Sequence, residues 1–117
     1  MKKIYISAPI AMYRKEGKDW KKYFNDKDSH YDDLGFIVFN PVKIGTNLEL
    51  LHKKLNLIPP NSADYMTECS RILYENFYEN PKDGYMLMHP EYSKSVGCKC
   101  ERGIAEGLGI NIIYDEY

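Results

Sequence analysis

The sequence predicts an α/β protein with a short parallel sheet of about four strands and helices on both of its faces. Three observations carry this. Four short apolar runs, the first three closed within two residues by a Pro, are separated by amphipathic segments at helical spacing. Strand and helix therefore alternate along the chain, which implies crossovers between parallel strands. The 117 residues match one domain, expected to span 1–117.

The elements follow in order. Lys3-Ile4-Tyr5-Ile6-Ser7 reads as a buried strand ended by Ala8-Pro9. A polar, lysine-rich stretch follows. Trp20, Phe24, Tyr31 and Leu34 recur at helical spacing, so a helix is expected over about 17–34, stopped by Gly35. Phe36 to Phe39 is a strand, with Asn40-Pro41 as its stop. Residues 42–61 are undecided, although Leu48, Leu50, Leu51 and Leu55 fit a short helix. After the Pro59-Pro60 break, Ser62 is a candidate N-cap for a helix carrying Tyr65, Met66, Cys69, Ile72, Leu73 and Asn76. A polar loop over 77–82 leads to a strand, Tyr85 to Met88, ended by His89-Pro90. The last helix runs from about Ser95 to Leu108 with Gly109 as its stop, and Ile110 to Tyr114 is the last strand.

Composition excludes several function classes. Lys plus Arg is 16 and Asp plus Glu 17, so the basic excess of a phosphate-tracking nucleic-acid binder or a polybasic membrane-surface protein is missing. No apolar run approaches the roughly 20 residues that span a bilayer. The opening apolar stretch is too short for a signal peptide, so a cytoplasmic protein is expected. Three cysteines do not make a disulfide framework. Cys98 and Cys100, with His89 nearby, are too closely spaced for a structural zinc pair, and no metal site is expected. The glycine-rich nucleotide signatures and the G-x-S-x-G elbow are absent.

In parallel sheets ligands bind beyond the carboxyl ends of the strands. That singles out Ser7 to Ala11, Asn40-Pro41 and His89 to Gly97. On the last helix Gly97, Glu101, Ile104, Ala105 and Leu108 share one face, which sets Glu101 in an otherwise apolar stripe. A carboxylate there must be paired, hydrogen-bonded or protonated. It reads either as a functional acid or as a boundary residue reaching water or a lysine. Ser95 reads either as an N-cap or, with Gly97, as part of an anion cradle at the helix start. A buried Tyr5 needs a hydroxyl partner. Asp83, Asp115 and Glu116 have the positions of solvated loop or tail charges.

Ordered blocks of the chain resemble the nucleoside 2-deoxyribosyltransferase-like superfamily, in particular its small bacterial and phage branch (the DUF4406 type). Lys3-Ile4-Tyr5-Ile6-Ser7-Ala8-Pro9-Ile10 is similar to the opening K-I-Y-I-S-G-P-I. Leu34-Gly35-Phe36 and Phe39-Asn40-Pro41 are similar to L-G-x-x-V-x-N-P. Asp64-Tyr65-Met66 and Asp83-Gly84-Tyr85-Met86-Leu87 follow, and the last block, Ser93 to Ala105, is similar to S-x-G-x-x-x-E-x-x-x-A.

The resemblance implies a flavodoxin-like three-layer fold and cleavage of an N-glycosidic bond. It casts Glu101 as nucleophile, Asp83 as the group handling the departing base, and Tyr5 as the residue orienting Glu101. Ser7, Ala8, Pro9, Ile10, Asn40, His89, Ser95 and Gly97 become candidate substrate contacts. Transferases acting on free nucleosides carry aspartate six residues before the glutamate, whereas the branch hydrolysing nucleoside 5′-monophosphates carries serine, as Ser95 does here. Hydrolysis of a 5′-monophosphate is therefore expected ahead of base exchange. The arginine usual in that branch's opening loop is displaced here to Arg14. No cofactor is implied. The partners implied are a small nucleoside or nucleotide and further copies of the chain, with the tail Tyr114-Asp115-Glu116-Tyr117 closing a neighbour's pocket. The alternative is a non-catalytic binder that sequesters a nucleotide-like signal.

Overall fold

A computed structural model describes residues 1–116. Among them the chain runs β1 (Lys3–Ser7), α1 (Ile10–Lys15), α2 (Trp20–Asp33), β2 (Ile37–Phe39), α3 (Pro41–Lys54), α4 (Ser62–Phe77), β3 (Gly84–Met88), α5 (Val96–Leu108) and β4 (Asn111–Tyr114). The four strands form one all-parallel sheet in the order β2-β1-β3-β4. This is the α/β, flavodoxin-like three-layer arrangement the sequence predicts. β1 is central, with Tyr5 opposite Phe39 on one side and Met86 on the other.

Alternation along β1 sorts its side chains between two layers. Tyr5 packs with Met86, Met88, Leu73 and Phe77 on the face covered by α4 and α5. Ile6 and Ala8 pack with Tyr23 and Phe24 of α2 on the other face. From β1 the chain moves one way to β2, yet β3 lies on the opposite side. The carboxyl ends of β1 and β3 therefore flank the switch in strand order, where open α/β sheets bind ligands.

Local structure departs from the sequence reading in several places. The polar stretch after β1 contains α1, a helix too short to show a periodic pattern, whose buried residue is Tyr13. Gly17 separates it from α2 with a φ of +69°, so α2 begins at Trp20 rather than 17 and is capped by Asp19, which accepts from the Lys22 N–H. Pro41 and residues 42–54 of the undecided segment form α3. Pro41 does stop β2, but it does so as the first residue of a helix, where its missing N–H is no loss. Val42 packs with the α2-side cluster and Ile44 with the α4-side cluster, so α3 bridges both layers at the carboxyl edge of the sheet. α4 is capped by Asn61, one residue before the expected Ser62, in a reciprocal capping box with Asp64. Gly109 ends α5 as expected, in the left-handed region. Among the described residues no helix is long and apolar enough to cross a membrane.

Candidate functional site

Glu101 sits in the second turn of α5 and is 7% exposed. Its neighbours on the helix stripe, Ala105 and Cys98, are buried in the core, so the carboxyl group is carried inward with them. The two inward-facing polar residues of β1 meet it there. The Tyr5 hydroxyl donates to Oε2, and Ser7 Oγ donates to Oε1 at 2.8 Å. Burial raises the Glu101 pKa to about 7, and the two hydroxyl bonds pull it partly back. Burial first, and the charge of Glu101 second, hold the Tyr5 hydroxyl far above its ordinary range, so it stays a proton donor.

Glu101 opens onto a cavity of about 510 Å³, a size suited to a small molecule. Residues just past three strand ends build it: Ala8 and Ile10 after β1, Val42 after β2, and Ser95 and Gly97 after β3. Two thiols also line it. Burial pushes Cys69 and Cys98 each up to about 11, so both remain protonated and are poor nucleophiles beside Glu101. Ser95 is the N-cap of α5, accepting from the Cys98 N–H at 3.2 Å. That cap satisfies one first-turn donor, while Gly97 keeps the backbone open: a Cβ there would stand 3.3 Å from Met66 Sδ. Arg14 and Lys21 bring positive charge to the wall formed by α1 and α2, each near the Trp20 ring, at 5.9 and 5.5 Å from its centroid.

The structure thus gathers Glu101, Tyr5, Ser7, Ala8, Ile10, Ser95 and Gly97 into one site. Four expected site residues lie elsewhere. Asp83 is exposed in a short turn at the amino end of β3. The five residues of that strand put about 13 Å between its two ends, so Asp83 cannot serve a group held at the carboxyl edge. Asn40 is buried, but its side chain is spent on structure: it accepts from the Val42 N–H at 2.9 Å and donates to Asp28 at 3.0 Å and Asn25 at 3.3 Å. Pro9 is buried away from the cavity.

His89 is sealed into a separate cluster. Its Nδ1 accepts from the Glu91 N–H at 3.0 Å, which assigns the neutral ring's proton to Nε2. Nε2 is 2.7 Å from the Tyr13 hydroxyl, which donates onward to Glu91 at 3.0 Å. The rings of Tyr13 and Tyr23 stand edge-on to the imidazole. Asp115 is not a solvated tail charge either: it accepts from Tyr23 and pairs with Lys27 at 3.0 Å. In the expected subunit-closing tail, Tyr114 ends β4 beside Tyr92, and Tyr117 lies outside the described residues.

Sequence reasoning missed most of the outer wall. Trp20 and Phe24 read as core stripe, and α3 was undecided, so Thr46 and Glu49 carried no signal. Cys69 reads in the sequence only as one of the residues on the helix after Ser62. No family model matches the chain, and neither a curated protein nor a solved structure matches it at a significant level.

Proposed function

We propose that the protein cleaves the N-glycosidic bond of a nucleoside 5′-monophosphate, with Glu101 as the nucleophile. One observation carries the reading: a carboxyl group with a pKa near neutrality, aimed by two hydroxyl donors, is the floor of a ligand-sized cavity at the switch in strand order. Near neutral pH a large fraction of Glu101 is ionised, and the low-polarity surroundings strengthen its attraction for positive charge developing at C1′. Its carboxylate attacks C1′. The C1′–N bond breaks, its electron pair goes to the base, and a proton from water completes the free base. The hydroxide left from that water hydrolyses the glycosyl ester, releasing the sugar 5-phosphate and restoring the Glu101 carboxylate. No metal or organic cofactor is needed. Ser95, the first-turn amides of α5 and the cations Arg14 and Lys21 suit a phosphate.

Asp83 takes no part in this scheme, so no side chain is assigned as acid to the leaving base. That favours a second reading, retention of an intact nucleotide. One experiment separates the two: incubation with nucleosides and 5′-monophosphates, followed by chromatography for free base. Base release that is lost in Glu101→Ala is the expected result, whereas stoichiometric recovery of intact ligand supports the binder. Leu50 and Leu51 stand exposed on α3 and Leu55 at its C-terminal end, which fits the homo-oligomer the family resemblance implies; light scattering measures it.

A further inference from the structure

Glu49 has no part in the reaction above, yet it lines the same cavity as Glu101, entering from α3 instead of α5. Its position is fixed by a neighbour. The ring of Tyr65 on α4 lies against Gly45, where a Cβ would come to 3.4 Å of Cε1. Gly45 and Glu49 share one face of α3 at i and i+4, and the Tyr65 hydroxyl reaches forward to donate to Glu49 Oε1 at 2.7 Å. Among the described residues the other oxygen, Oε2, has no hydrogen bond or ion pair. The nearby cations do not take it: Arg14 and Lys21 stand by the Trp20 ring. The remaining walls offer aromatic and apolar surface in Trp20, Phe24 and Met66. The cavity therefore combines surfaces for a planar ring with a tethered group that can only accept hydrogen bonds.

We infer that Glu49 reads the nucleobase, selecting bases that present a ring N–H beside an exocyclic amino group, the guanine-type edge. The inference rests on the proposed function, in which a nucleotide places C1′ at Glu101. Two carboxylate oxygens match two adjacent donors in a plane, and the bonds are charge-assisted. Adenine and cytosine present a ring-nitrogen lone pair at the corresponding place, which faces the carboxylate with repulsion and no proton. Tyr65 holds the carboxylate so that its free oxygen need not be ordered again on binding.

The test is calorimetric binding of guanine, hypoxanthine, adenine and cytosine 5′-monophosphates, ribose and 2-deoxyribose forms alike, to Glu101→Gln protein, which does not turn them over. The expected order is guanine ahead of hypoxanthine, which lacks the amino group, with adenine and cytosine about tenfold or more weaker than guanine. Adding Glu49→Gln brings all four within twofold of one another. Adding Tyr65→Phe instead keeps the guanine preference, because the carboxylate remains. Adenine or cytosine bound as tightly as guanine overturns the inference, as does a guanine preference that survives Glu49→Gln. If the wild-type protein releases bases without this preference, the inference fails alone. If it neither binds nor cleaves any nucleotide, the glycosidase reading fails with it.

Discussion

Glu101 and His89 are both buried ionisable groups near the carboxyl edge of the sheet, and each is held by a tyrosine. They end in different surroundings. Burial raises the Glu101 pKa to about 7 and lowers that of His89. Both shifts favour the neutral form, because desolvation penalises charge of either sign. What separates the two is access. Glu101 faces a cavity, and its two hydroxyl donors leave it lone pairs for a ligand. His89 has both ring nitrogens engaged and its ring enclosed by Tyr13 and Tyr23. The same desolvation that makes a reactive acid where a cavity adjoins makes a structural post where none does. Position after a strand end marked His89 in the sequence, whereas Glu101 was marked by its place on a helix face, and of the two only the second lies at the cavity.

The largest expected effect tests the reactive half of that contrast. Glu101→Gln lowers base release at least about a thousandfold, read by chromatography, with the protein still folded. His89→Ala tests the structural half. It strands the Glu91 N–H and opens a gap between two rings, lowering stability by about 2–4 kcal/mol in urea denaturation while kcat of the folded fraction stays within twofold.

The pH dependence of stability sharpens the comparison through its sign. The folded pKa of Glu101 lies above its unfolded value, so its contribution is fully present below pH 4.5 and is lost as pH rises through about 7. Wild type therefore loses about 2–3 kcal/mol relative to Glu101→Gln between pH 4.5 and 8. The folded pKa of His89 is lowered, so its contribution is present above 6.5 and is lost as pH falls below that value. Denaturation of the two single variants across pH 4.5–8 separates the opposing slopes.

Tyr5→Phe has a smaller effect. It removes a bond that lowers the Glu101 pKa, so the acid limb of the kcat/KM profile moves to higher pH. The rate at the optimum falls about tenfold to a hundredfold. Asp83→Asn has the smallest effect, leaving base release within twofold, because the residue is exposed at the far end of β3.

How far the sequence could be read followed the range of the interactions involved. Glu101 was legible as a candidate because a helix wheel is local: one acid among apolar residues at i, i+4 and i+7 lies on or beside the face that docks. α3 was not, because its leucines at 50, 51 and 55 stay exposed, so apolar spacing there did not mark a buried face. Asn40 and His89 misled because a residue after a strand end can equally cap the next helix or seal the edge of the core. Which it does depends on Val42, Asp28, Tyr13 and Glu91 reaching it, and only Val42 and Glu91 are sequence neighbours.

The sequence by itself determined the alternation of strand and helix, the parallel sheet and the placing of an acid on the apolar face of α5, since each follows from periodicities of two and 3.6 along a short stretch of chain. Tertiary structure alone decided that Tyr5 and Ser7 meet Glu101 across more than 90 residues of chain, and that a tyrosine of α4 tethers a carboxylate of α3 above the same cavity. Those outcomes depend on how layers stack and which ends of the strands coincide, and no local pattern carries that information.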